Sequence, residues 1–316
     1  MLNQISMPVN KFVIWILHKM LMPCFPMIFL FSCSVLSGSQ LKNINAFAIA
    51  AKNYSHFPGE IIRKAEELHY NNDILEASAI PDSGQIIRSL EKAKAQYERG
   101  LRFSKKADAS LELIQKYSAL LAQLSSNSYA DDLGKNAREL SRELNSAVKL
   151  FNDQVSTQIP GTVGKGISEI ITFLGSRAVK NKQAKALKKF IPAGDTLIQL
   201  STRSLVDALD SDLKPLLESY KATFQIDYRT LIFNHSDRID YNMLRFYIKT
   251  NSDYEDVELL RTGCIHAVEK MASSHTELKN NIRKKKDLAE LLPGVKDFIA
   301  DVNNLYEILN KLSGSF

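Results

Sequence analysis

From residue 80 to the end of the chain, apolar side chains return every three or four positions, and nowhere do they alternate every second residue between hairpin turns. That is the spacing of a helix face and not of a half-buried strand. The longest stripe runs through Ile86, Leu90, Ala93, Tyr97 and Leu101, then Ala107, Leu111, Ile114, Tyr117, Leu121 and Leu124, with Ser104 filling the one gap. Asp82, with Gln85 three residues on, offers the acceptor that a first helical turn needs for its free amides. The pattern predicts one helix over 83–124, about 60 Å long. Gly100 inside it is tolerated at a cost of about 1 kcal/mol. After a serine-rich turn capped by Ser128, the residues Leu133, Ala137, Leu140, Leu144, Ala147 and Phe151 repeat the four-three rhythm of a coiled-coil-like seam over 129–153. A helix of that length needs a partner of similar length, so the two segments predict an antiparallel hairpin.

The same periodicity organises the rest. A short helix is expected over 46–54 and another over 59–79, opened by Pro58 and weakened in its middle by Asn71-Asn72-Asp73. Residues 159–166, reading Ile-Pro-Gly-Thr-Val-Gly-Lys-Gly, predict the strongest internal break, with a helix from Ile167 to Ala178 after it. Pro192-Ala193-Gly194 predicts a second break. Leu205, Leu209, Leu213, Leu216, Tyr220, Phe224, Tyr228 and Leu231 mark a long helix, in which Pro215 should produce a kink or free a carbonyl. A polar turn at 234–237, a short helix around Tyr241, Leu244 and Ile248 and a loop at 250–253 are expected next. Stripes at 257–282 and 288–312 follow, the second bending or starting at Pro293. The fold class is all-α: an elongated helical bundle of long antiparallel, coiled-coil-like helices over 46–316, with a sub-division near 157–166.

Ahead of the bundle lies a different pattern. No acidic residue occurs before Glu60, and Lys11 and Lys19 accompany two apolar pieces, 12–17 and 20–31. Basic residues, a short apolar segment and a processing site are the parts of an export signal. The second piece ends at Leu30-Phe31-Ser32-Cys33, which resembles the lipobox of bacterial lipoprotein precursors. The resemblance covers four residues. It implies that 1–32 is a signal peptide, that Cys33 is lipidated, and that the mature chain is membrane-anchored in a bacterial cell envelope, facing the periplasm or the exterior. No family is recognised for 34–316. Polar, serine-containing residues at 33–45 are then expected to form a lipid-anchored tether. Three other readings stay open. Residues 20–36 can be an N-terminal transmembrane anchor, although Pro23, Pro26 and a length under about 20 residues count against it. A non-lipid cleavage after Ala48 or Ala50 gives a secreted protein, and Cys33 can be an ordinary cysteine. Met7 serves as a start as well as Met1.

The formal net charge is +6, of which the leader carries two as Lys11 and Lys19. A mildly basic exported domain suits anionic lipid or a cell-wall polymer. The export signal and the lack of a recognition motif argue against nucleic acid. Of three cysteines, Cys24 leaves with the signal and Cys33 is acylated, so Cys264 remains alone and no disulfide framework is expected. Five histidines follow the leader, His56, His69, His235, His266 and His275, without an HExxH or a Cys/His zinc spacing. No metal, cofactor or catalytic residue is assigned. His275 falls on an apolar stripe and is read as a core histidine satisfied by a neighbour, and Cys264 as a small buried apolar residue. The glycines at 161–166 are not a phosphate loop, because Ile159 stands at its first glycine and Gly166 at its hydroxyl position.

Two basic clusters carry the remaining chemistry: Arg177, Lys180, Lys182, Lys185, Lys188 and Lys189, and Arg283, Lys284, Lys285 and Lys286. Such runs are most often solvated helix faces. Their functional reading is contact with anionic lipid or envelope polymer. The function expected is therefore a membrane-tethered lipoprotein acting as a helical binding or scaffold module, with an envelope protein as a further candidate partner. The alternative is a helical pore-forming or membrane-remodelling protein inserting 164–179, which Lys165, Glu169 and Arg177 oppose. An enzyme with an unrecognised site comes third. No feature of the pattern selects an oligomeric state.

Overall fold

The computed structural model describes residues 36–101, 105–126, 129–174, 180–234, 241–284 and 292–313. The protein is all-α. In chain order the helices are α1 (Gly38–Tyr54), α2 (Phe57–Ser78), α3 (Ser83–Gly100), α4 (Lys105–Ser125), α5 (Tyr129–Gln154), α6 (Gly161–Leu174), α7 (Lys180–Asp207), α8 (Lys214–Asn234), α9 (Tyr241–Asn281) and α10 (Pro293–Ser313). A widened π-type stretch, Ala208–Leu213, joins α7 to α8 without a loop. One apolar core runs from Leu36 to Leu312, with fully buried side chains from α1, α2 and α4 to α10.

Local chemistry sets the helix starts. Ser37 and Gln40 form a capping box: the Ser37 hydroxyl accepts from the Gln40 amide at 3.2 Å, and the Gln40 side chain accepts from the Ser37 amide at 3.0 Å. Asp82 caps α3, its carboxylate accepting from the Gln85 amide at 2.7 Å. Glu277, a turn before the end of α9, accepts from the Gly294 amide at 3.0 Å and so caps α10, which starts at Pro293.

Tertiary packing moves several expected boundaries. The polar stretch expected as a tether is instead the start of the bundle: Leu36 is 5% exposed and α1 is under way by Gly38. The single helix expected over 83–124 is two helices. α3 ends at Gly100 and lies along α2, while α4 turns away to pair with α5, so only the second half of the expected hairpin exists. The break expected at 159–166 is confined to 155–160, and the glycine-rich residues themselves open α6. Gly164 lies against Asn145 of α5, whose amide donates to Ser168 at 2.8 Å; the missing Cβ allows this close approach.

Pro192-Ala193-Gly194 does not interrupt α7. Phe190, Ile191 and Leu197 around it are fully buried, and that burial outweighs the lost backbone hydrogen bond. The loop expected at 250–253 is also helical, inside a 41-residue α9. There the Asn251 amide returns to the Tyr247 carbonyl, Lys249 pairs with Asp253 at 2.9 Å, and Thr250 is buried.

Candidate functional site

The position of the basic clusters follows from the register between α7 and α9. Asp195 meets Lys279 at 2.6 Å and His275 at 3.0 Å, the Gln199 side chain donates to the Ala272 carbonyl at 3.1 Å, and Arg261 donates to the Leu209 carbonyl at 3.2 Å. Rising α7 numbers meet falling α9 numbers, so the two helices are antiparallel. The lysines at the start of α7 therefore lie at the same end of the bundle as Arg283 and Lys284, just beyond α9.

The chain enters at that end as well. The Gln40 side chain donates through Nε2 to the Lys284 carbonyl at 3.1 Å, and the Leu292 backbone amide donates to Asn43 Oδ1 at 2.6 Å. Gln183, itself buried, donates to the Leu124 and Ser126 carbonyls at 2.9 Å each, which satisfies the end of α4 and fixes the rotation of α7. With Gln183, Ala184, Ala186 and Leu187 facing inward, Lys182, Lys185 and Lys189 fall on one outward stripe and Lys188 beside it. Lys185 and Lys189 are exposed and also line a groove of about 340 Å³ between α6 and α7, with Gly166, Glu169 and Ile170 as its other walls. Arg283 and Lys284 are exposed.

Thus the fold brings Lys182, Lys185, Lys188 and Lys189 to one end with Arg283 and Lys284. Lys180 contributes the first backbone position of α7. Cys33, Arg177, Lys285 and Lys286 lie outside the described residues, as does the polar turn around His235. Gln40, Asn43 and Gln183 were not singled out in the sequence, although they fasten this end. The Ser-x-x-Gln spacing at 37–40 was the available signal for the first of them.

Above this end lies a buried polar chain. His275, on the apolar stripe of α9, has no exposed surface and is held at both ring nitrogens. Tyr117 Oη is 2.7 Å from Nε2, and Asp195 Oδ1 is 3.0 Å from Nδ1. Burial drives the Tyr117 phenol well above its ordinary range and pushes the His275 pKa below its own. Tyr117 is therefore the donor to Nε2 of a neutral imidazole, and Nδ1–H donates to Asp195. The hydrogen bond from His275, with help from Lys279, holds the Asp195 carboxyl down at about 2. Phe190 stacks on Tyr117 with centroids 5.1 Å apart, and a Cβ on Gly194 would collide with the same ring. Tyr117 and His275 touch no solvent, so the network orders the core and presents no reactive atom. Cys264 is likewise fully buried, its thiol pushed far up by desolvation.

Further along α7 and α9, an open groove of about 650 Å³ borders the π-type stretch, with Arg203, Asp207, Asp210 and Glu269 among its lining residues. Asp207 is taken by Lys106, and Asp210 by Arg261. Among the described residues no group of three or more His, Cys, Asp or Glu is placed to hold a metal ion. No known protein family, curated protein or solved structure matches the chain.

Proposed function

We propose that the chain is a cell-envelope lipoprotein whose helical bundle stands on an anionic membrane by one end and serves as a binding or scaffold module. The observation that supports this reading is the convergence at that end. Residues 182–189 and 283–284, about a hundred positions apart, meet where the chain arrives from Cys33. Leu36, already buried, is three residues beyond that cysteine. Three extended residues span about 10 Å. Acyl chains on Cys33 would then hold this end within reach of lipid head groups, where each Lys or Arg near the surface adds about 1 kcal/mol. Acylation supplies the stable anchor and the cations orient the domain upon it.

The pore-forming reading has less support. α6, the core of the segment it relies on, has 14 residues, about 21 Å of helix against a hydrocarbon layer of about 30 Å. Among the described residues no helix is long and apolar enough to cross a membrane.

The decisive measurement is intact mass and acyl labelling of the membrane-fraction protein, with Cys33→Ala alongside. The expected result is a mature chain that begins at Cys33, carries acyl groups, and loses both label and processing on substitution. A label that survives Cys33→Ala would remove the anchor from the proposal.

A further inference from the structure

α3 has an unusual relation to the rest of the bundle. It packs along α2, and Ala93 is its one fully buried residue. Ile86, Leu90 and Tyr97 are half-covered, and Tyr97 meets Tyr70 of α2 with ring centroids 5.3 Å apart. Beneath its last turn lies Glu66, a carboxyl only 4% exposed. The backbone of Gly100 sits directly on that carboxyl, so closely that a Cβ there would collide with it. From the other side Tyr220 of α8 approaches Glu66 and favours its charged form. Around them, His69 stacks flat on Tyr220 at 3.9 Å, and His69 Nδ1, Asn72 Oδ1, Asp73 Oδ2 and Tyr254 Oη are buried without a hydrogen bond. An acid is therefore enclosed in an incompletely satisfied polar pocket by a helix that has little else holding it down.

We propose that α3 is a pH-gated flap, closed over α2 while the Glu66 carboxyl carries its proton and released when that carboxyl ionises. The groups facing Glu66 support this from every side. On α2 itself, Asp73 is a like charge two turns along, with His69 between them. α8 brings Tyr220, and its Asp227 is held by Asn72 at 3.0 Å. α9 brings Tyr254, close to Tyr220 and Asp73. The neighbouring cations are spent elsewhere: Lys92 of α3 acts on Asp73, and Lys106 of α4 on Asp207 and Asp212.

Burial first, and then repulsion by Asp73, lift the covered Glu66 from an ordinary 4.5 to about 7, with the nearby Tyr220 hydroxyl offsetting part of the rise. Because the closed-state pKa is the higher one, the contribution of Glu66 to closure is fully present below 4.5. It falls about tenfold per pH unit above that value and levels off past 7. The opening equilibrium should rise across this window by at most about 300-fold, the limit in which opening returns Glu66 to its ordinary value. Opening uncovers the polar pocket and the apolar stripe of α3 near neutral pH and keeps them covered in acid. The inference is independent of the anchor.

Backbone hydrogen exchange of the full chain in detergent micelles tests it, read by mass spectrometry from pH 4.5 to 8 and corrected for intrinsic exchange rates. Peptides from 83–100 should lose protection with rising pH, by up to about 300-fold, while peptides from 105–125 stay protected. Glu66→Gln should keep α3 protected throughout. Three results would overturn the flap: constant wild-type protection, a Glu66→Gln chain that keeps the pH dependence, or loss of protection at 105–125 in step with 83–100.

Discussion

His275 shows how a single residue can be read from sequence while its partners cannot. Its place on an apolar stripe identified a core histidine that some neighbour had to satisfy. Tyr117 and Asp195, which do so, stand 158 and 80 positions away, and no local pattern links them. The arrangement makes a prediction about acid stability. With its folded pKa depressed to about 2 from 3.8, Asp195 contributes its full stabilisation above 3.8 and loses it as pH falls through 2. That contribution is at most about 2 kcal/mol for a side chain this well covered. The His275 shift adds to acid lability, since a folded histidine whose pKa is lowered loses its stabilisation as pH falls below 6.5. Urea melts of wild type and Asp195→Asn at a series of pH values should give a stability gap that is widest above pH 4 and narrows towards pH 2. A gap that is constant over that interval would mean that the charge on Asp195 contributes nothing.

At the scale of the elements, periodicity found nearly every helix, and the errors lie at their joints. Glycine and proline were read as breaks, whereas 161–166 and 192–194 are helical because neighbours pack against them. The reverse error was the join after Gly100, where the apolar rhythm runs on from α3 into α4. These are long-range effects on short-range signals, and one sequence does not reveal which neighbour will arrive. Pro215 is the instructive intermediate. It led to the expectation of a kink or a freed carbonyl, and the structure has a widened stretch just before it, with the Leu209 carbonyl taken by Arg261 at 3.2 Å. Arg261 is 3% exposed and also binds Glu258 and Asp210 at 2.6 and 3.1 Å. Those carboxylates reach solvent and rehydrate when the guanidinium is removed. Arg261→Leu should therefore cost about 2 kcal/mol, from the lost charge-assisted hydrogen bonds. Its faster hydrogen exchange should be concentrated at 205–215. Unchanged stability would show that the widened turn holds itself.

For the whole molecule, the legible part of the site was its composition, and the hidden part was its geometry. Two basic runs were visible in the sequence, yet base rates favoured two unrelated solvated faces. Only the antiparallel register of α7 and α9, with Gln40 fastened to Lys284, makes them a single end. The far end of the 41-residue α9, about 60 Å away, supplies an internal control, since Arg245 there and Arg229 on α8 are exposed cations too. At physiological salt, charges act over about 8 Å, so only the end that touches a membrane can feel it. Flotation of the chain from Ser34 onward with vesicles should therefore depend on which cations are removed. Lys185→Gln, Lys188→Gln and Lys189→Gln together should weaken binding to anionic vesicles about 100-fold, at about 1 kcal/mol each. Arg229→Gln with Arg245→Gln should leave it nearly unchanged, neutral vesicles should bind neither, and added salt should weaken the wild type most. Equal losses from the two ends would assign the attraction to net charge alone and remove the oriented contact from the proposed function.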